Sequence, residues 1–321
     1  MRVPIEDMLF VIRGAGERTD AACEAWVRRL VEDEGGTPHN QVSVVRERPF
    51  SKAVRATFER GRDGGRAWVV GIDADVLLLA DAIERLRVIC ACADGGAFAI
   101  TPLLMCKFYG GICCKGVHVY PRRLMSRAIG MIEQSGSEDD LKPESAVVRA
   151  MGEKGFRAQG PPVVVGVHDY EQSYRHIYLK ARLRARREAG APEYDSFQFV
   201  RALAAGDSDM LVASWGMEDG RADSASVDAP HCYAWDVEYP EFEQRMRAHG
   251  LAEKSVWGGD VAGYAERAIG SHDYAGDART PVWIRERFGF AGERNGVLAR
   301  LGVRDAPTRM KVDDSMVRKA S

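Results

Sequence analysis

No stretch of the 321-residue chain approaches the roughly 20 consecutive apolar residues that spanning a bilayer requires, which excludes a transmembrane helix at the level of sequence. The N-terminal apolar run "MLFVIR" follows Glu6 and Asp7 and precedes no small-residue cleavage site, so it reads as a first strand rather than a signal peptide. No two of the seven cysteines have Cys-x-x-Cys spacing, and their odd number, with Cys113 and Cys114 adjacent, does not make a complete disulfide framework. The group Cys90, Cys92, Cys106, Cys113 and Cys114 therefore reads as buried thiols rather than a zinc site, and the chain as cytoplasmic. Charge of one sign is not in excess either: 45 basic against 47 acidic residues leave a net charge of −2, so contact with a polyanion would need a local patch. Repeats and low-complexity tracts are missing as well.

What is present is 45% hydrophobic residues in a periodic arrangement, enough to bury a full core. The strand Met8 to Arg13 leads to an amphipathic helix from Ala21 to Val31 and a second strand from Gln41 to Val45. Ser51 then caps a helix "KAVRATFERG", and Gly64-Gly65 leads into a strand from Ala67 to Ile72. This βαβαβ order predicts an α/β fold, a Rossmann-like, mostly parallel sheet with helices on both faces. Helical character follows over Leu77 to Val88, with strands over Phe98 to Leu104 and Gly116 to Tyr120. Helices start at Pro121 and Pro143, and Val163 to Val167 is the last convincing strand. Beyond "EAGAPEY" the pattern favours helices, including Phe197 to Ala205, Pro240 to His249 and Pro281 to Leu301. The expected division is a catalytic domain over 1–190 and a mainly helical extension over 191–321.

The strand "WVVGIDADVLL" ends in two aspartates one residue apart. Side chains at i and i+2 share a face of a strand, so Asp73 and Asp75 would stand side by side at its carboxyl end, where α/β sheets collect ligands. Paired hard oxygen donors suit Mg²⁺ or Mn²⁺ shared with substrate phosphates; equally, Asp75 would cap a helix beginning near Val76. "VIRGAGERT" offers a second alternative. Gly14 and Gly16 suggest a dinucleotide turn, and so a nicotinamide oxidoreductase, but Thr19 replaces the third glycine of that turn.

The order of features beyond this pair resembles the GT-A glycosyltransferases, which use nucleotide-sugar donors. "PESAVVRAMGEKGF" is similar to their segment that begins with an acidic catalytic residue, here Glu144, and continues through Arg149 to Gly155 and Phe156; "VVVGVHDYEQ" is similar to their late strand ending in a metal-binding histidine, here His168. The combination of "VIRGAGERT", "FERGRDGGRAWVVGIDADV" and "GVHDYEQSYRHIY" resembles, over about residues 8 to 188, the TET-associated glycosyltransferases of phages and metaviromes.

The resemblance implies a donor, a UDP-sugar, and an acceptor, the hydroxyl of 5-hydroxymethylcytosine in DNA. It further implies a partner dioxygenase and the cytoplasm of an infected host. Asp73, Asp75 and His168 would hold Mn²⁺ or Mg²⁺. Arg13, Glu17, Arg18 and Thr19, with Lys52, Arg55 and Asp73, would contact the nucleotide-sugar. Glu144 would be the base of an inverting displacement, with Asp140 and Asp139 next, although a glutamate at a helix start is also favoured by the helix dipole. Arg175, Lys180, Arg182, Arg184, Arg186 and Arg187 crowd one helix and would contact DNA, joined by Arg122, Arg123 and Arg127; the same charges equally suit solvated helix faces. Tyr109 or Trp257 would stack on a flipped base. Rival readings are transfer to a cell-envelope saccharide, or a DNA- or nucleotide-binding module without catalysis.

Overall fold

The computed structural model describes residues 1–108, 111–135, 143–187, 205–223 and 238–270. Its centre is a six-stranded sheet in the order β2-β1-β3-β8-β5-β9, formed by β1 (Met8–Arg13), β2 (Val42–Val45), β3 (Trp68–Asp73), β5 (Ala97–Ile100), β8 (Val117–Pro121) and β9 (Arg157–Gln159). Five strands run one way, and β8 alone is antiparallel to its neighbours β3 and β5. A smaller sheet in the order β4-β10-β6-β7 lies beside it, from β4 (Val76–Leu78), β6 (Leu103–Cys106), β7 (Gly111–Cys113) and β10 (Val164–His168).

Strand β1 shows why the large sheet is covered on both faces. Every one of its six residues is buried, so Met8 to Ile12 is apolar without alternation, as expected for a central parallel strand, and only the terminal Arg13 is charged. Met8, Phe10 and Ile12 enter one core with α1 (Asp20–Asp33), α4 (Ala82–Ala91) and the small sheet. Leu9 and Val11 enter the other, with α3 (Phe50–Asp63), α5 (Met125–Ser135) and α6 (Pro143–Glu153). A short helix, α2 (Pro38–Gln41), precedes β2. The sequence expectation of a mostly parallel α/β sheet between helical layers is what the chain forms.

Several boundaries differ from expectation, each for an identifiable reason. Val76 to Leu78 is a strand rather than the start of a helix, because this short apolar run pairs antiparallel with Gly166 to His168 of β10. The stretch Phe98 to Leu104 divides at Thr101-Pro102, sending β5 to the large sheet and β6 to the small one. Ser51 lies inside α3, buried, and Pro49 occupies the N-cap position. Strand β9 and the helix Ser208–Asp223 were not legible in the pattern.

The later helices are α7 (Tyr174–Arg187), α8 (Ser208–Asp223), α9 (Pro240–Ala248) and α10 (Val261–Gly270). Helices α7, α8 and α9 make a third core around Tyr178, Trp215 and Phe242. Val261, Ala265 and Ala268 of α10 belong to the core of the small sheet, so described residues beyond 190 are built into the same cores as residues before it. No described helix is long and apolar enough to cross a membrane. The expected helices Phe197 to Ala205, for all but Ala205, and Pro281 to Leu301, like "EAGAPEY", lie outside the described residues.

Candidate functional site

The chain order reverses at β1: β2 lies on one side and β3 on the other, which opens a crevice at the carboxyl ends of β1 and β3. Arg13 and Asp73 are the last residues of those strands and register partners, so both fall at the crevice. Backbone bonds fix the turn after them. The Asp73 N–H donates to the Gly116 carbonyl at 2.7 Å, the Ala74 N–H donates to the Arg13 carbonyl at 2.9 Å, and the Thr19 hydroxyl donates to the Ala74 carbonyl at 2.8 Å. Gly116 has φ +86, and a Cβ there would stand 2.7 Å from Val76 Cγ2 and 3.1 Å from His168 Cδ2, so only glycine lets these strands converge.

Two buried charge clusters meet at this point. In the first, Arg13 lies 2.8 Å from Asp73 and is ion-paired with Glu144 of α6, its guanidinium over the Phe50 ring at 5.3 Å. Glu144 also accepts from the Tyr120 hydroxyl at 2.9 Å and lies 3.2 Å from His118 Nε2, whose Nδ1 is 3.1 Å from the Thr101 hydroxyl. Burial would raise the Glu144 carboxyl, but Arg13 and His118 outweigh it and hold it well below the usual carboxylate range. Burial pushes Asp73 up to about 6; Arg13 opposes the rise, while Glu144 and Asp75 add to it.

The second cluster surrounds Asp75. Lys180 of α7 donates to Asp75 Oδ2 and, at 2.7 Å, to Asp169 Oδ1. His168 Nε2 faces Asp75 Oδ1 at 3.6 Å, too long for a hydrogen bond, and this buried oxygen has no hydrogen-bond partner among the described residues. His168 Nδ1 lies 3.1 Å from Asp169 Oδ2. Ligand atoms of Asp75, His168 and Asp169 all fall within 4.8 Å of one another, a spacing that a single cation can span. Burial would raise Asp75, but Lys180 and His168 hold it below the usual range. Burial likewise opposes charge on His168, yet Asp169 and Asp75 raise it to about 10. Asp169 has φ 65, a left-handed conformation that aspartate tolerates better than most residues.

The expected residues divide as follows. Asp75 and His168 come together, while the third carboxylate beside them is Asp169, and Asp73 turns to Arg13 instead. The alternative in which Asp75 caps a helix at Val76 is overturned, since Val76 begins β4. Glu17 accepts from the Ala15 N–H at 2.5 Å, and burial and Asp75 raise its carboxyl to about 8 despite Lys180. Arg18 is engaged by Glu171 at 2.7 Å and the Ser255 carbonyl at 2.7 Å, and Thr19 is a buried brace on the Asp-x-Asp turn. Lys52 is exposed; Arg55 pairs with Glu59 at 2.9 Å and with Glu133 of α5 at 2.7 Å. Glu144 is a weak base in this setting, because three donors stabilise its charged form; Asp139 and Asp140 lie outside the described residues.

The basic helix is corrected most. Lys180 belongs to the acidic cluster, Arg182 pairs with Asp223 at 2.6 Å and covers the Tyr239 ring at 4.7 Å, and Arg184 is buried. These three do not form a solvent-facing stripe, because α8 and α9 pack against α7. Arg175 and Arg186 are half-buried, and the side chain of Arg187 lies outside the described residues. Arg122 donates to the Arg62 carbonyl at 3.0 Å, Arg123 donates to the Gly95 carbonyl, and Arg127 stacks on Phe156, on the side of α3 and α5. Trp257 packs edge-on against Tyr264, and Tyr109 lies outside the described residues.

Sequence reasoning missed Asp169, His118 and Tyr120, and misassigned Lys180. Only Asp169 had a signal, its place directly after His168. No family model matches the chain, and no curated protein matches it. Among solved structures, a crystal structure of a glycosyltransferase involved in the glycosylation of the major capsid of PBCV-1 matches with 11% identity and a TM-score of 0.34, covering 48% of this chain and 82% of that one. At that distance the likeness carries no argument, and the chemistry rests on the residues described above.

Proposed function

We propose that this protein is a metal-dependent glycosyltransferase that moves a sugar from a nucleotide-sugar donor to a hydroxyl acceptor. The observation that carries the reading is the cation seat at the strand ends, where Asp75, Asp169 and His168 converge and one buried oxygen of Asp75 has no hydrogen-bond partner among the described residues. The paired carboxylates fit Mg²⁺ or Mn²⁺, and the ammonium of Lys180 already rests there as a positive charge. Asp75 and Asp169 would hold the ion, with His168 beside them. When bound, it supplies neutralisation of the departing diphosphate.

The chain's own residues do the rest. Arg13 locks Asp73 and Glu144 into one buried array at the crevice, which presets the Asp73 carboxylate without reorganisation during reaction. Glu144 serves this array as a positioning residue, through Arg13, His118 and Tyr120. Glu17 and the turn after β1 lie on the same side, where a nucleotide would approach.

The finer reading is a UDP-sugar donor and the hydroxyl of 5-hydroxymethylcytosine as acceptor, made by a partner dioxygenase; the sequence resemblance supports it. A second reading has one observation of its own. With Lys180 on both carboxylates, the lysine itself would face the diphosphate and no divalent ion would be required. Donor turnover over a panel of nucleotide sugars, with Mn²⁺ or with chelator, separates the two. Parallel reactions with hydroxymethylated DNA, unmodified DNA and saccharide acceptors assign the acceptor.

A further inference from the structure

His168 has a second face. Its Nε2 points to Asp75, while Nδ1 points into a pocket of soft donors inside the small sheet. Cys106 and His168 are register partners in the parallel pair β6/β10. Cys113 on β7 pairs with Leu104, two residues before Cys106, so both thiols stand on one face of the sheet. The Cys106 sulfur is 3.4 Å from His168 Nδ1 and 3.8 Å from Asp169 Oδ2, and Nδ1 is 3.1 Å from the same oxygen. Ligand atoms of Cys106, Cys113 and His168 all lie within 4.8 Å of one another.

These separations have a chemical meaning. Zinc binds thiolate at about 2.3 Å and imidazole at about 2.0–2.1 Å in a tetrahedron, which sets neighbouring ligand atoms about 3.3–3.8 Å apart. The edges among Cys106, His168 and Asp169 lie at or close to that range before any ion draws them in. Cysteine, cysteine, histidine and carboxylate are the donors that a borderline-soft divalent ion prefers over Mg²⁺. All four residues are buried, as in closed structural sites.

We propose that Cys106, Cys113, His168 through Nδ1 and Asp169 through Oδ2 form a structural site for a zinc-class cation. Binding converts two thiols to thiolates and the His168 imidazolium to neutral imidazole, releasing three protons to solvent and leaving the carboxylate ionised. The site ties β6, β7 and β10 together and holds Asp169 in its left-handed conformation, which also keeps Asp169 Oδ1 turned to Lys180. With Nδ1 on the ion, the proton resides on Nε2, which faces Asp75 Oδ1 at 3.6 Å, and the neighbouring hard-ion seat is left to the carboxylates of Asp75 and Asp169.

The test uses the intact chain and does not depend on sugar transfer. Protein loaded with ZnCl₂ or CoCl₂ is passed over a chelating resin in excess Mg²⁺; retained metal is measured by mass spectrometry and the cobalt form by absorption. Stoichiometric zinc, with a thiolate-to-cobalt charge-transfer band and tetrahedral visible bands, is expected. Both should be lost in Cys106→Ser or Cys113→Ser and kept in Asp75→Ala. If a serine variant does not fold, the wild-type cobalt spectrum decides alone. Absence of the thiolate band, or retained metal that depends on Asp75 and not on the cysteines, overturns the proposal.

Discussion

The ammonium of Lys180 is shared between the carboxylates of Asp75 and Asp169, which lie 94 residues apart in the sequence, one in the turn between β3 and β4 and the other directly after β10. Asp75 is almost wholly buried, so this contact neutralises charge that water does not reach. Lys180→Met should therefore cost about 3–5 kcal/mol of stability, the usual range for breaking one side of a buried pair. Mn²⁺ should restore more of the melting temperature in the variant than it adds to the wild type, because the ion takes the vacated seat. Equal Mn²⁺ shifts in both proteins would mean that no divalent ion uses it.

Arg13 holds Asp73 and Glu144 in the same way from the other side of the crevice, with its own side chain 1% exposed. Arg13→Met should cost about 3–5 kcal/mol in urea unfolding. Adding Glu144→Gln should recover part of that loss, since one uncompensated charge is then gone. A loss under about 1 kcal/mol for Arg13→Met, in the range of surface pairs, would contradict the description of a buried array.

His176 on α7 is buried, and its pKa is lowered to about 4 by burial first and by Lys180, with Arg48 and Arg175 adding and Asp75 opposing. The unfolded chain, with an ordinary histidine near 6.5, binds this proton over a range where the native state does not. Stability is thus complete above about pH 6.5 and falls as pH drops towards 4. Between pH 7 and pH 5 the loss from this one group is about 2 kcal/mol. Chemical denaturation across that range should show a shallower slope in His176→Gln; an unchanged slope would remove His176 from the account.

Helices α7 and α8 approach through glycine. A Cβ at Gly220 would meet the Arg182 carbonyl, and one at Gly216 the Tyr178 carbonyl, both rigid backbone. Gly220→Ala should destabilise by about 1–3 kcal/mol, although alanine alone favours a helix by about 1 kcal/mol. Stabilisation on thermal melting would show that the helices have room to separate.

Much of the sheet was legible because its signals are local. Strand β1 reads as buried from its unbroken apolar run, and the Asp-x-Asp turn marks the end of β3. Strand β4 was misread because "VLL" carries no periodicity, and a short apolar run before "ADAIERLRV" suits a helix as well as a strand. At the site, Asp75 and His168 were legible from their places at strand ends. The partners were not, because ion pairs such as Lys180 with Asp75 or Arg182 with Asp223 are decided by packing of distant segments. A helix with six basic residues looks solvated until the carboxylates that face it are placed. Cys106 and Cys113 lacked zinc spacing in sequence, but strand pairing brings them to one face beside His168.

The central claim is that Asp75 anchors a divalent-cation seat serving a nucleotide-sugar donor. The most direct measurement is donor consumption by the wild type and Asp75→Asn, with Mn²⁺ and with chelator. Consumption by the wild type in Mn²⁺, lost in chelator and in the variant, is expected. Undiminished consumption in chelator, or none of any donor under any condition, would contradict it.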